Sequence, residues 1–397
     1  MQLESIKTFV VGNPPPSFGG RYFVFVKIRT KCGIEGVGEA YAATFSPHII
    51  AAMAEDLFER VFAGQDPMQI ETLWRKAYGA GFTLRPDVSL MGVLSALEMA
   101  CWDITGKALE QPVYKLLGGL VNPRLRSYTY LYPDANEDDS FYDDPVKSAE
   151  RAAIYVEQGF TAVKLDPVGG YSVFDPRQPT LERMDLSERF CKLIREAVGD
   201  KADILFGTHG QYTVSGAKRL ARRIEKYDPL WFEEPTPPER PEMMAEVARH
   251  TSIPVATGER LCTKYEFARV LETGAASILQ PALGRVGGIL ECKKIAGMAE
   301  TFYAQMAPHL YCGPIEAAAN IQLAACIPNF LILESIQQLG GFHEKLLKKK
   351  IQWEGGYVIP SKDPGLGVEL NEEIALAHPY TGKALHLEMA QTPLGYH

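Results

Sequence analysis

From Arg124 onward the chain alternates short apolar runs with longer segments whose apolar residues recur at helical spacing. A new run begins roughly every 20 to 30 residues, the rhythm of strand–helix–strand units that feed a parallel sheet. The runs that read as strands are 125–131, 162–166, 203–207, 230–234, 255–259, 277–280, 304–308 and 330–334, and the helical patterns cover 181–198, 215–226, 241–250, 264–273, 288–302 and 314–326. Eight strands in this rhythm predict a closed barrel in place of an open sheet. The first 120 residues follow another pattern. Two extended runs, 22–29 and 35–42, flank Thr30-Lys31-Cys32-Gly33, whose glycine permits a tight turn, and predict an opening hairpin. Helical periodicity follows at 49–62, 68–78 and 89–109, the last apolar on most faces and therefore expected to be buried. An α+β domain is thus expected to precede the barrel, ending near Leu120. The tail after Trp353 is rich in Gly and Pro, lacks a barrel unit of its own, and is expected to pack back on that first domain.

The strand ends carry the candidate chemistry. Lys164, His209, Glu233, Glu259, His309 and Glu334 each stand at the end of an apolar run, where side chains of a barrel converge on one mouth. Adjacent parallel strands lie about 4.8 Å apart, so Glu233 and Glu259 are expected to face each other. Two carboxylates that close in a partly dry site repel and need a proton or a cation between them. A hard divalent ion, Mg2+, resolves that conflict and keeps positions open for substrate. The competing reading is a structural ion network in which the two glutamates pair with Lys164, Arg260 or Arg285. Lys164 on an inner strand face calls for an anion partner or a part in proton transfer, and two histidines at matched strand ends point to acid–base work.

Composition narrows the class. The 397 residues are 46% hydrophobic, enough for a large core and two domains, and carry a net charge of −8 with a pI near 5.6. No basic footprint for a phosphate backbone exists, because the one basic cluster, Lys345 with Lys348 to Lys350, is short and reads as a solvated face. No apolar stretch is expected to span a bilayer, and residues 1–11 alternate like a strand where a leader would carry an apolar core. The seven cysteines are scattered and form no CxxC pair, so neither a disulfide framework nor a zinc knuckle is expected, and a reducing cytoplasm fits best.

Several stretches together resemble one family. They are Ser95 to Lys107 (Ser-Ala-Leu-Glu-Met-Ala-Cys-Trp-Asp-Ile-Thr-Gly-Lys), Leu116-Leu117-Gly118-Gly119, Glu233-Glu234-Pro235, Gly258-Glu259-Arg260 and Arg285-Val286-Gly287-Gly288. The chain resembles the enolase superfamily, and within it the mandelate racemase subgroup. His209-Gly210 and the stretch from Ala307-Pro308-His309 to Gly313-Pro314-Ile315 are most similar to galactonate dehydratase-like acid-sugar dehydratases. The resemblance implies an α/β fold made of a modified TIM barrel, (β/α)7β, over residues 123–352. An N-terminal α+β capping domain would cover 1–122 and be completed by the tail, 353–397. It also implies a carboxylate substrate chelated by Mg2+, loss of the proton α to that carboxylate, and a stabilised enediolate. Glu233 and Glu259 would be metal ligands, His309 a base or acid, His209 its partner on the opposite side, Lys164 a stabiliser of the substrate carboxylate, and Glu334 a hydrogen-bond partner. Departure of a 3-hydroxyl with a proton would leave a 2-keto-3-deoxy acid.

Three departures bear on that implication. The family's first metal ligand is an aspartate two residues before His209, where this chain has Gly207. His209 is the preferred replacement, with Asp166 or water as alternatives, and a ligand His209 cannot also be a free acid. The aspartate that charges the later histidine falls at Ala282, and the second lysine of a Lys-x-Lys pair falls at Asp166, which disfavours a racemase with bases on both faces. Asp166 joins Arg21 and His48 as a candidate substrate contact. The loop 13–21 and the segment 45–48 are expected to close over the barrel mouth, and Arg85 is a further candidate there. The leading expectation is a Mg2+-dependent dehydratase of a small acid sugar, either an aldonate or an aldarate, in a homo-oligomer without membrane or nucleic-acid partners. A cycloisomerase that opens a sugar lactone or anhydro-sugar acid, and a catalytically weak binding protein, are the alternatives.

Overall fold

The alternation at the start of the chain has a partner. In the computed structural model, which describes residues 1–42, 44–82, 87–134 and 137–394, β1 (Leu3–Gly12) pairs antiparallel with β2 (Tyr22–Thr30), which pairs with β3 (Glu35–Ala40). The expected opening hairpin is therefore the second half of a three-stranded sheet. Its first strand escapes a turn-based reading because the β1–β2 connection is long. Helices α1 (Pro47–Leu57), which continues as a π-helical turn over Phe58–Phe62, α2 (Ile70–Tyr78), α3 (Val88–Ala108) and α4 (Val113–Leu116) complete this layer. Of the described residues only α3 is long and apolar enough to cross a membrane, contrary to the expectation that no stretch would be, but 89% of its most apolar window is buried inside the fold. A side chain at Gly38 would overlap the backbone of Ala96, so this glycine lets α3 rest directly on β3.

The barrel follows the expected rhythm. Its strands are β4 (Leu125–Tyr130), β5 (Ala162–Leu165), β6 (Asp203–Gly207), β7 (Trp231–Glu233), β8 (Val255–Thr257), β9 (Ile278–Leu279), β10 (Gln305–Met306) and β11 (Leu333–Ser335). From β4 to β10 each strand pairs parallel with the next; β11 returns to pair with β4, and a bridge between Met306 and Phe330 closes the ring. Between them run α5 (Pro145–Glu157), α6 (Leu181–Val198), α7 (Val214–Ile224), α8 (Pro241–Ala248), α9 (Lys264–Thr273), α10 (Ile289–Thr301) and α11 (Pro314–Cys326). Helix α5 was not among the expected helices, although Asp144 caps it by accepting from Val146 N and Lys147 N, with Pro145 at its first position. The tail divides its contacts. After α12 (Phe342–Lys345), the hairpin β12 (Gln352–Glu354) and β13 (Tyr357–Ile359) adds antiparallel to β4. Beyond it, Leu366 N donates to Asp103, and α13 (Glu372–Ala377) leads to Tyr380, whose N donates to Val10 O.

Buried polar groups join the two layers. Glu98 of α3 accepts from Ile289 N and Leu290 N, each at 2.8 Å, at the start of α10. Glu39 of β3 accepts from Gly313 N at 2.6 Å and Glu316 N at 2.9 Å at the start of α11. Helix N-termini carry unpaired N–H groups and a positive dipole end, so these acceptors fix the capping layer to the barrel where the barrel has donors to spare. Glu316 accepts from Gly284 N through one oxygen, while its other oxygen is buried without a hydrogen bond. Burial pushes Glu39 up to about 7, and burial together with the neighbouring Glu39 pushes Glu316 up to about 8, from a usual 4.5. Such raised carboxyls hold their protons more tightly in the fold than in the unfolded chain. The stability they add is full below 4.5 and is lost as pH climbs through 7 and 8. The melting midpoint is expected to fall between about pH 5 and 8, and Glu316→Gln to flatten that decline; an equal slope in both proteins would count against the assignment.

Candidate active site

Side chains at and just beyond the ends of the parallel strands converge on one mouth, and several of those that meet there are charged. Glu233, at the end of β7, is buried and fully engaged: Oε1 accepts from Lys164 Nζ at 2.7 Å, and Oε2 from Trp231 Nε1 at 3.0 Å and Gln280 Nε2 at 2.8 Å. Lys164 also lies 3.7 Å from Glu334 Oε1, while Glu334 Oε2 accepts from Leu310 N at 2.8 Å. Burial works against the charge on Lys164, but Glu233 and Glu334 outweigh it and hold the ammonium well above its ordinary range. Burial also raises Glu334. Lys164 thus pairs with a glutamate, as the ion-network reading expects, and does so inside the mouth itself.

Glu259 is the other pole. Its Oε2 makes no hydrogen bond, yet His209 Nε2 stands 3.2 Å away and His309 Nε2 3.5 Å away. Burial opposes its ionisation, but the neighbouring His209 and Lys164 act the other way and lower the carboxyl below the usual range. His309 is buried, its Nδ1 has no partner, and burial pulls it down to about 4, so the ring is uncharged at neutral pH. Position 282 supplies no carboxylate, since Ala282 is the residue that bridges to His309 in the backbone. Tyr41, which follows β3, stacks on His309 with centroids 5.8 Å apart and planes at 14°, while the Arg285 guanidinium lies 3.8 Å over its ring.

His209 takes an unusual route into the mouth. Its φ of 44° lies in the left-handed region, which a non-glycine residue adopts only when its surroundings enforce it. Here they do: Arg260 Nη2 donates to His209 O at 2.9 Å while Arg260 Nε pairs with the buried Glu234 at 2.8 Å. The ring is gripped on both sides, with Nδ1 2.8 Å from Asp166 Oδ2 and Nε2 facing Glu259. Tyr171 OH donates to the same Asp166 oxygen. A side chain on Gly207 would overlap Asp166 Oδ1, so the carboxylate of β5 occupies the space that glycine leaves on β6. The missing carboxylate at 207 is thereby offset in place by Asp166, whose side chain is only 6% exposed.

These residues fit a divalent cation. His209, Glu233 and Glu259 each offer a ligand atom, all within 4.8 Å of one another. Orphaned carboxylate oxygens at Glu259 Oε2 and Asp166 Oδ1 border that group. Oxygen donors suit Mg2+, and the single imidazole is compatible with it though more typical of a transition metal. A cavity of about 560 Å3 is lined by the loop after β1, the segment after β4 and the tail, and none of the charged residues just described is among its lining. Arg21 lines it but is tied to Glu388 at 2.8 Å and Leu385 O at 3.0 Å. His48 does not join them: it bonds Tyr380 O at 3.0 Å and lines a separate cavity of about 380 Å3 against α1. Arg85 lies outside the described residues. Sequence reasoning missed Tyr41, Tyr171 and Trp231. It also passed over Gln280, although this polar residue ends an apolar run in the same way as the residues it did select.

Comparison with known proteins accords with this geometry. Residues 13–118 match the mandelate racemase/muconate lactonizing enzyme N-terminal domain and residues 147–374 the enolase C-terminal domain-like family. The D-galactonate dehydratase of Ralstonia pickettii is 36% identical over 362 residues, covering 89% of this chain and 90% of that protein. Among solved structures, a mandelate racemase/muconate lactonizing enzyme from Sulfitobacter sp. is 53% identical with a TM-score of 0.97, and a like protein from Roseovarius sp. is 52% identical with a TM-score of 0.98. Each pairing covers 100% of both chains.

The relation of Gly207 to Asp166 is testable. Gly207→Asp alone is expected to destabilise the protein, because two carboxylates then compete for one buried volume. Combined with Asp166→Gly it should recover most of the lost melting temperature, and a double variant no better than the single would show that the two positions do not share that space.

Proposed function

Because the chain belongs to the enolase superfamily, in its mandelate racemase/muconate lactonizing enzyme branch, we propose that it is a Mg2+-dependent dehydratase of a small acid sugar. The observation that carries this reading is the convergence of His209, Glu233 and Glu259 at successive strand ends, with Lys164 and His309 on either side. A divalent cation held by those three residues supplies a Lewis acid for the negative charge that develops on the substrate carboxylate when the α-proton leaves. The similarity to a D-galactonate dehydratase supports an acid sugar as the substrate.

The protein's own groups divide the remaining work. Lys164, held charged by two glutamates, sits where it can bind a carboxylate oxygen. His309 is the base: its ring is neutral, its position is fixed between Tyr41 and Glu259, and Nε2 carries the exchangeable lone pair or proton. Asp166 accepts the Nδ1 proton of His209 and turns Nε2 inward, the arrangement in which a carboxylate orients a metal-binding imidazole. With His209 so engaged, His309 serves both steps. It removes the α-proton and returns it to the departing 3-hydroxyl, so that water leaves from the face on which the proton was taken and a 2-keto-3-deoxy acid remains. The elimination is then syn.

Glu259→Gln and Glu233→Gln are each expected to abolish Mg2+-dependent exchange of the α-proton in D2O without loss of secondary structure; retained exchange would discard the site. His209→Asn should weaken Mg2+ binding in calorimetry by about tenfold or more. Intact affinity with lost turnover would move His209 to proton transfer, and an anti elimination would say the same. A screen of acid sugars should release a 2-keto product, whereas ring opening without loss of water would assign a cycloisomerase.

A further inference from the structure

The segment between β5 and α6 carries one side chain that no step of the proposed reaction uses. Tyr171 sets its hydroxyl between the two partners of the His209 clamp: it donates to Asp166 Oδ2 and stands 2.9 Å from His209 Nδ1. Its ring meets the imidazole edge to face, with centroids 4.8 Å apart and planes at 73°. Two oxygens and an aromatic ring therefore close the Nδ1 side of His209, and Nε2 is left facing Glu259. Asp166 alone would leave more freedom. Its Oδ1 has no hydrogen bond, so among the described residues Tyr171 is the one partner besides His209 that holds this carboxylate.

The chain around Tyr171 is irregular and follows Gly169 and Gly170, so local structure does not hold this side chain in place. Two distant segments do. On one side Gln211, two residues past His209, donates from Nε2 to Gly170 O at 2.7 Å and to Gly169 O at 3.2 Å. On the other the C-terminal tail runs alongside. Ala390 N donates to Tyr171 O at 2.9 Å, Val173 N donates to Ala390 O at 3.1 Å, and the buried Ser172 donates from Oγ to Thr392 O at 2.7 Å. These bonds make a parallel bridge between Ser172 and Ala390. The same tail is fastened to the capping layer just upstream, where His386 N donates to Tyr22 OH at 3.1 Å and Glu388 pairs with Arg21 at 2.8 Å. The tail thus spans from the capping layer to the backbone of Tyr171.

We propose that Tyr171 is a positioning residue for His209, and that the C-terminal tail holds it in place through the bridge at Ala390. This rests on the reading of His209 as a metal-binding residue given above. In this role Tyr171 acts through Asp166 and the imidazole, as the outer partners of a metal-binding histidine do.

The test measures Mg2+ binding to the full chain by calorimetry. Tyr171→Phe keeps the ring and removes the hydroxyl, and should weaken Mg2+ binding about tenfold, the lower end of the effect of losing an outer partner of a metal-binding imidazole. In a His209→Asn background the same change should leave the affinity unaltered, which a general loosening of the fold would not do. Ala390→Pro removes the N–H that bonds Tyr171 O and should weaken binding about threefold, the scale of one net hydrogen bond, with no further effect once Tyr171 is replaced by Phe. Ser172→Ala, which leaves the main chain intact, should act in the same direction. Equal affinity in wild type and Tyr171→Phe, or a loss that persists in the His209→Asn background, overturns the positioning role while the metal site stands. Unchanged affinity in Ala390→Pro and in Ser172→Ala overturns the part assigned to the tail. A wild type that binds no Mg2+, or binds it no better than His209→Asn, overturns the metal-ligand reading and this proposal with it.

Discussion

The arrangement of this protein depends on two acidic side chains of the capping layer that meet the N-terminal ends of two barrel helices. Glu98 collects backbone N–H groups at the start of α10, and Glu39 does so at the start of α11. A helix start is the one place on a barrel where several donors point outward together, so the contact is directional as well as favourable. It sets the height of β3 over the mouth, and with it the position of Tyr41, whose backbone N donates to Gly284 O at 2.8 Å. His309, which stacks on Tyr41, takes its place beside that register. Apolar packing alone would hold the layers together, but it would leave their relative slide less well defined.

Much of the site was legible because a barrel translates sequence position into spatial position by a simple rule. Any polar residue that ends a buried parallel strand arrives at one mouth, which is why Lys164, Glu233, Glu259, His309 and Glu334 were found from spacing alone. The parts that were not legible depend on contacts between segments distant in sequence. Helix α5 announces itself only locally, by its cap Asp144-Pro145, after an irregular stretch that separates it from β4. Tyr171 lies in an irregular segment where periodicity carries no information. The tail that bonds to its backbone carries none either. Conversely, His48 looked well placed by its nearness to a loop expected to cover the mouth, but the helix that begins at Pro47 turns it toward a different cavity.

Gly207 and Asp166 show how two neighbouring strands share one buried volume. With glycine there, β6 contributes no carboxylate, and Asp166 of the neighbouring strand fills the vacated volume and reaches His209. The exchange changes function as well as position. A carboxylate at 207 would project from the same strand as His209, whereas Asp166 approaches the ring from behind and orients it. The left-handed backbone at His209 is the local cost of bringing Nε2 inward to face Glu259 while Nδ1 meets Asp166.

The charge count at the mouth then decides what the arrangement is for. Four buried carboxylates, Asp166, Glu233, Glu259 and Glu334, surround Lys164, while Arg260 is taken by Glu234 and the His309 ring is uncharged. Lys164, the Arg285 guanidinium and His209, which Asp166 and Glu259 hold above its ordinary range against burial, are the positive groups set against these four acids, and burial makes each uncompensated charge expensive. A fold whose purpose was only to bind a sugar would lose nothing by replacing these acids with amides. Glu259 Oε2 and Asp166 Oδ1 are left without hydrogen bonds, which leaves the mouth able to accept positive charge from outside the chain. A divalent cation would supply that charge on the side of the mouth where His209 and Glu259 face each other.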